Sequence, residues 1–245
     1  MALIEEFDKS GNWLFKYRSY LPLILFAFAT IVLLFDNKEI FDFSNPVWGL
    51  SCFLISMLGL GVRIFTIGFI PKATSGKNRK GQIADVLNKK GIYSVVRHPL
   101  YLGNFLVLLG VIFYVGIIWY TIVCILLFWL YYERIIFAEE LFLRNKFKEE
   151  FLIWSAKIPS FIPRLKLWQK PEMDFSIRNV LKRENDSFFS IMVSFVYLNA
   201  LKNYIYNSKI TLDFIWQIIF ITVLITFIVL KILKKKTKLL DVVGR

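Results

Sequence analysis

The sequence predicts an all-α protein, a polytopic membrane bundle of about six transmembrane helices. Hydrophobic residues make up 57% of the 245 positions, and they are concentrated in long runs separated by charged segments. A run of about 20 apolar residues is long enough to cross the ~30 Å hydrocarbon core of a bilayer. Because a soluble domain of this length could not bury so much apolar surface, we expect residues 1–245 to form a single membrane domain.

The predicted helices follow the apolar runs along the chain. The fifth run is more polar than the others, and five transmembrane helices remain if it is re-entrant. The segment before the first run is mixed and charged, unlike a cleaved signal peptide, and residues 3–15 have the spacing of an amphipathic surface helix. The six runs are residues 20–35, 47–70, 100–115, 117–138, 188–201 and 212–233.

Basic residues set the predicted orientation, because Lys and Arg concentrate on the cytoplasmic side of membrane proteins. Seven of them lie in the loop before the third run and five lie at the end of the last run and just after it, whereas the loop after the first run is acidic. The sequence therefore predicts that the N- and C-termini lie in the cytoplasm, together with the segments 71–99 and 139–187.

Two polar segments on that side carry groups that suit a nucleotide ligand. Residues 91–101 read G-I-Y-S-V-V-R-H-P-L-Y and lead into the third run, and residues 139–147 read E-E-L-F-L-R-N-K-F and end the fourth. The short break at Gly116 makes these two runs an antiparallel hairpin. We therefore expect a basic pair, Arg97-His98, to lie beside an acidic pair, Glu139-Glu140.

These groups fit a zwitterionic nucleotide. Glutamate carboxylates can accept hydrogen bonds from ribose hydroxyls, and Arg97, His98 and free backbone N–H groups at the helix start can bind a carboxylate. Tyr93 and Tyr101 can pack on an adenine or near a sulfonium. Taken singly, His98 could also be an interfacial capping residue, and the glutamates a solvated helix end.

The two segments also resemble the signatures of the isoprenylcysteine carboxyl methyltransferases and their phospholipid methyltransferase relatives, a family of integral membrane enzymes. The resemblance covers about residues 63–163 and implies an S-adenosylmethionine pocket formed by the segments 71–99 and 139–187. The sequence departs from the family pattern at Asp85, where a histidine is common, and at Lys148, where a glycine is usual. The expected cofactor-binding residues are Asp85, Leu87, Asn88, Gly91, Tyr93, Arg97, His98, Pro99, Leu100, Tyr101, Glu139 and Glu140.

The methyl acceptor is expected to be anionic already, because no general base is evident beside the site. Arg63, Arg134 and Arg178 are the candidates for binding its anion at the catalytic centre, although basic residues near headgroups can equally snorkel or face anionic lipid. Residues 11–13, 74–78 and 175–181 also resemble bacterial relatives that methylate the phosphate of lipid A.

We therefore expect an integral inner-membrane O-methyltransferase that uses S-adenosylmethionine at the cytoplasmic face to modify a membrane lipid, most simply a lipid phosphate such as that of lipid A. With one histidine and with Cys52 and Cys124 in apolar runs, we expect no metal, and we expect no nucleic-acid partner.

Four alternatives stay open from the sequence. Methylation of a prenylcysteine carboxylate or of the phosphatidylethanolamine nitrogen would use the same cofactor. An NADPH-dependent membrane sterol-type reductase would share a similar Arg-His-Pro-x-Tyr turn. A non-catalytic lipid-binding protein would leave the paired glutamates facing solvent and away from His98.

Overall fold

The computed structural model describes residues 2–35, 46–71, 82–209, 211–212 and 214–244. Within these ranges the chain is all-α and contains no β-strand, which confirms the predicted class. The predictions on Lys72, Lys77, Arg79, Lys80, the stretch 74–78 and the acidic loop 36–42 lie outside the described residues. The helices are α1 (Leu3–Tyr17), α2 (Leu21–Phe35), α3 (Pro46–Phe69), α4 (Pro99–Val115), α5 (Ile118–Ser155), α6 (Ile177–Asn207) and α7 (Phe214–Lys236).

Four of these helices, α3, α5, α6 and α7, are long and apolar enough to cross a membrane. A fifth span is possible if α1 and α2, which are bent by 75° at their junction, count as one broken span. The six predicted crossings included α2 and α4, which have only 15 and 17 residues. The polar run 188–201, considered re-entrant as an alternative, lies inside the 31-residue α6, which is itself one of the candidate spans.

Helices α3 and α4 pack closely because small residues line their interface. A Cβ atom placed on Gly59 would lie 2.5 Å from the backbone nitrogen of Val107, and one on Gly103 would lie 2.5 Å from Cγ of Arg63. Small residues allow this close approach of membrane helices. The absence of a side chain at Gly103 also gives the long side chain of Arg63 the room to run across α4.

Helices α4 and α5 form the antiparallel hairpin that the sequence predicts. Gly116 has a φ of 80°, a left-handed conformation that glycine adopts without strain, and α5 begins two residues later. The continuous part of α5 from Ile118 to Phe147 is about 45 Å long, well beyond the thickness of a bilayer core. Its last third therefore continues past the start of α4, and it carries Glu139 and Glu140 to that level.

The C-terminal end of α5 folds over the start of α4. The helix is interrupted at Lys148, which has a φ of 46° and a ψ of −117°. Beyond this kink, Phe151 and Trp154 are buried in a small cluster with Leu87, and the partly buried ring of Tyr93 packs against them. The kink thus closes the hairpin end with an aromatic cap.

Candidate active site

A large cavity of about 930 Å³ runs through the end of the bundle where α4 begins. Its volume lies near the upper end of the ~300–1,000 Å³ typical of small-molecule and cofactor sites. Its walls come from α1 to α7 and from the segment before α4. The predicted site residues that line it are Arg63, Leu87, Asn88, Tyr93, Arg97, His98, Pro99, Leu100, Tyr101 and Glu139.

The basic pair and the acidic pair meet at one end of this cavity. Nε2 of His98 lies 2.8 Å from Oε1 of Glu140, and its Nδ1 lies 3.6 Å from Oε2 of Glu139. Nε of Arg97 is 2.9 Å from the same Oε1 of Glu140, in ion-pair contact. Residues about 40 positions apart are therefore brought together by the α4–α5 hairpin, and the glutamates do not simply face solvent.

The imidazole of His98 is held in its charged form. Only 6% of the residue is exposed, and this burial disfavours the imidazolium. The hydrogen bond with Glu140 and the close negative charges of Glu139 and Glu140 outweigh burial and raise the pKa of His98 from 6.5 to about 9. At neutral pH His98 is therefore a cation and cannot accept a further proton.

One carboxylate oxygen at this end keeps its bonding capacity. Oε2 of Glu139 is buried, and it has no hydrogen-bond partner within the described part of the chain. Its distance to Nδ1 of His98 exceeds that of a normal hydrogen bond. Buried polar atoms are rarely left unsatisfied, so this oxygen marks a place for a donor from a ligand.

The backbone N–H groups of Arg97 and His98 themselves are paired, so they are not among the free N–H groups predicted at the helix start. The N–H of Arg97 donates to the carbonyl of Pro159 at 2.9 Å, and that of His98 donates to the carbonyl of Ser160 at 3.2 Å. The chain that leaves α5 turns back and pairs with the start of α4. The Arg97 side chain strengthens this pairing, because its Nη1 donates to the carbonyl of Ser155 at 2.7 Å.

Three of the expected cofactor residues do not line the cavity. Asp85 is exposed, whereas its neighbours Leu87 and Asn88 reach the wall. Gly91 is buried, has a φ of 62° and donates its N–H to the carbonyl of Gln169, so it shapes the loop behind the site. Glu140 contacts Arg97 and His98 but does not line the cavity itself.

Arg63 crosses into the cavity and is held there by a partner that the sequence did not reveal. Its Nε and Nη2 donate to the two carboxylate oxygens of Glu184 at 2.7 and 2.9 Å, and Glu184 is only 4% exposed. Nη2 also donates to Ser187 at 3.2 Å, and Nη1 donates to Asn104, whose amide donates to Tyr132 at 3.1 Å. These partners are polar residues inside largely apolar helices, and that pattern in the sequence could have identified them.

The other two arginines predicted to bind the acceptor lie elsewhere. The guanidinium of Arg134 is 3.5 Å from the ring centre of Phe7 on α1, on the side of α5 away from the cavity. Arg178 is exposed and lines a separate shallow cleft beside Asp241. The basic residues besides Arg63 and Arg97 that do line the cavity are Arg18, Lys182, Arg183 and Lys234.

Residues 47–150, which contain both polar segments, match the family described as phospholipid methyltransferase. The chain belongs to this family of integral membrane methyltransferases. The matching region holds α3, α4, most of α5 and the whole Arg97–His98–Glu139–Glu140 cluster. No solved structure matches the chain significantly.

Three curated proteins show how far the similarity extends. The chain is 32% identical to the cobalt-zinc-cadmium resistance protein CzcN of Cupriavidus metallidurans over 158 residues, 64% of this chain and 69% of that protein. It is 32% identical to the nickel-cobalt-cadmium resistance protein NccN of Alcaligenes xylosoxydans xylosoxydans, over 51% of this chain and 56% of that protein. It is 36% identical to the protein-S-isoprenylcysteine O-methyltransferase of Schizosaccharomyces pombe, over 30% of this chain and 31% of that enzyme.

The resistance proteins are named for metals, but the described residues contain no group of three His, Cys, Asp or Glu side chains that could hold a metal ion.

Proposed function

We propose that this protein is an S-adenosylmethionine-dependent O-methyltransferase that modifies an anionic membrane lipid at the cytoplasmic face of the inner membrane. The observation that carries the proposal is the cavity itself. One end combines two cations with two carboxylates, one of which keeps an unpaired buried oxygen, and the other end is apolar and lies among membrane helices. Because elements from α1 to α7 contribute to its walls, we treat residues 1–245 as one membrane domain.

The residues at the polar end fit the cofactor. Arg97 and His98 offer positive charge to its carboxylate, and the free Oε2 of Glu139 can accept a hydrogen bond from a ribose hydroxyl. The rings of Tyr93 and Tyr101 line the same space, where they can pack on the adenine or near the sulfonium. When bound, S-adenosylmethionine supplies an electrophilic methyl group, and the task of the chain is to orient it toward the acceptor.

An acceptor that is already an oxyanion suits this site better than an amine. His98 is protonated at neutral pH, and both oxygens of Glu184 are engaged by Arg63, so neither group is available to remove a proton. A phosphatidylethanolamine nitrogen would need such a base before it could be methylated. A phosphate or a carboxylate would not.

A lipid phosphate, such as that of lipid A, is our leading acceptor. Basic residues from the end of α1, from α6 and from α7 also line the cavity and would attract a phosphate. The second candidate is a prenylcysteine carboxylate, because the yeast relative is named for that substrate and presents the same oxyanion chemistry. Membership of a methyltransferase family argues against the NADPH-dependent reductase. The contact of the glutamates with His98 argues against the non-catalytic lipid-binding protein, which would leave them facing solvent.

Titration of the purified protein with S-adenosylhomocysteine tests the cofactor half of the proposal. We expect saturable binding by calorimetry in detergent, with no competing NADPH binding. Tritiated S-adenosylmethionine and proteoliposomes of phosphatidylethanolamine, phosphatidylglycerol and lipid A then test the acceptor. Label in lipid A supports the proposal, whereas label only in phosphatidylethanolamine, or in an added prenylcysteine peptide, contradicts the lipid-phosphate assignment. Absence of S-adenosylhomocysteine binding would remove the methyltransferase proposal altogether.

A further inference from the structure

The cavity continues past the polar end into an apolar branch between α2 and α6. Beyond Arg63 its walls are largely hydrocarbon, supplied by facing helices. Two of the helices that form this branch, α2 and α6, lie outside residues 47–150, the part of the chain that matches the family. Its apolar lining residues include Phe26, Val107, Val111, Phe128 and Ile191.

The branch opens sideways. Pro22 on α2 and Ser190 on α6 both line the cavity, yet both side chains are exposed, so they lie at a mouth between these two helices. Deeper along the same pair of helices the gap is closed. The hydroxyls of Thr30 and Tyr197 are 2.9 Å apart, and the rings of Phe26 and Tyr197 are in contact at 5.0 Å.

A second opening lies at the other end of the cavity. Ile83 and Val86, in the segment before α4, also line the cavity while being 50% and 57% exposed. This segment lies beside the polar cluster of His98 and Glu139. The cavity therefore has one mouth at the polar end and one between two apolar helices, which suits a water-soluble ligand and a lipid entering from different phases.

Arg63 and Glu184 lie between the two mouths, and most of the hydrogen-bond donors of Arg63 are already used. A guanidinium has five N–H donors. Four are used by the two oxygens of Glu184, by Ser187 and by Asn104, which leaves one N–H on Nη1. An ion pair that is bidentate and buried is rigid, and it presents this single donor to the cavity in a fixed direction.

We propose that the methyl acceptor enters between α2 and α6 as a phosphate-bearing lipid, with its chains in the apolar branch and its headgroup stopped at the Arg63–Glu184 pair. This assignment of an acceptor subsite and its entrance rests on the proposed function. The single remaining N–H of Arg63 binds one oxygen of the phosphate, while Arg18 and Arg183, which line the same cavity, supply the positive charge that Glu184 removes from Arg63.

Neighbouring residues on α6 allow the entrance to be blocked with a matched control. Ser194 lines the branch one turn beyond Ser190, whereas Val193 is exposed and does not line the cavity. A tryptophan at Ser194 fills the branch, and one at Val193 extends into the surrounding lipid. We expect Ser194→Trp to lower the rate of methyl transfer to lipid at least about tenfold and Val193→Trp to leave it unchanged, with unchanged S-adenosylhomocysteine affinity in both.

Native mass spectrometry provides a readout that does not depend on the methyl donor. Protein in detergent is mixed with phosphatidylglycerol or with lipid A, and the fraction that retains a lipid is counted. We expect retention by the parent protein and by Val193→Trp and its loss in Ser194→Trp. Equal retention in all three overturns the entrance, whatever the result with S-adenosylhomocysteine, whereas absent cofactor binding alongside a normal lipid pattern would refute only the proposed methyl transfer.

The role of Glu184 as a positioning residue has its own test. Glu184→Gln keeps the size of the side chain but releases the guanidinium of Arg63 from its bidentate partner. We expect the KM for lipid to change severalfold with cofactor affinity unchanged, because the fixed donor loses its direction. Glu133→Gln, at an exposed position on α5 that does not line the cavity, is the control. A Glu184→Gln protein with parental KM and kcat would exclude the pair from the acceptor subsite.

Discussion

His98 and Lys202 are both basic residues buried at the ends of α4, and their surroundings differ in a way that separates a ligand site from a structural support. Lys202 is 5% exposed and donates to the carbonyl of Tyr114 in the last turn of α4. A helix C-terminus stabilises positive charge, so Lys202 is placed where the helix already favours it. His98 caps the N-terminus, where the helix disfavours positive charge, and only the carboxylates of Glu139 and Glu140 offset this.

Lys202 is tightly packed, whereas His98 has open space beside it. The ammonium of Lys202 lies 3.9 Å from the ring centre of Tyr114, and the neighbouring rings of Phe195 and Trp216 stack at 5.9 Å. The surroundings of His98 open into a cavity of about 930 Å³ and leave one oxygen of Glu139 unsatisfied. A buried charge therefore indicates a ligand site only where bonding capacity and space remain beside it.

The strongest test of this contrast is His98→Ala. Removing the imidazolium takes away the cation that contacts both carboxylates, and the free energy of a buried charge without its partner amounts to several kcal/mol. We expect S-adenosylhomocysteine affinity and methyl transfer to fall by about 100-fold or more. Glu133→Gln, at an exposed position on α5, the helix that carries Glu139 and Glu140, should change neither. Full activity in His98→Ala would show that the cluster is structural.

Lys202→Met should give the opposite pattern at the other end of α4. The variant loses the hydrogen bond to the Tyr114 carbonyl and leaves that buried acceptor unsatisfied, which costs roughly 1–3 kcal/mol of folding free energy. We expect a lower Tm in detergent with unchanged cofactor affinity below that temperature. Lys209→Met, at an exposed position after α6, serves as the control. A loss of cofactor binding in the folded Lys202→Met protein would contradict a purely structural role.

A pH titration sharpens the comparison without any mutation. Because the folded-state pKa of His98 is raised from 6.5 to about 9, the stabilisation from its charged form is complete below pH 6.5 and is lost as the pH rises through about 9. We expect S-adenosylhomocysteine affinity to be constant near neutral pH and to fall by about tenfold between pH 8 and pH 10. In His98→Gln this fall should disappear, which calorimetry at several pH values would measure.

The smallest expected effect concerns the kink that closes the site. Lys148 has a positive φ that favours glycine, so Lys148→Gly should relieve strain of about 1 kcal/mol and raise the Tm slightly. The matched change Lys146→Gly, at a regular helical position, should instead cost about 1 kcal/mol. If both changes destabilise the protein equally in thermal unfolding, the backbone at Lys148 is not strained.

At Lys148, where the family usually has glycine, the sequence identifies the position but not the reason for the preference. The resemblance marked a position where glycine is usual, but only the backbone conformation explains the preference. Likewise, the hairpin at Gly116 predicted that His98 would meet the twin glutamates, whereas the pairing of Arg97 and His98 N–H groups with Pro159 and Ser160 was missed. Such long-range contacts leave no periodic pattern in the chain.

The sequence by itself determined the helical class, the order of the apolar runs and the meeting of the two polar segments. Hydrophobic length and a tight turn act locally, so they can be read from neighbouring residues. The tertiary structure alone decided that Glu184 engages Arg63, that Arg134 and Arg178 lie away from the cavity, and that a branch opens between α2 and α6. Which face of a membrane helix meets which neighbour depends on close packing at residues such as Gly59 and Gly103, and that packing is a property of helix pairs.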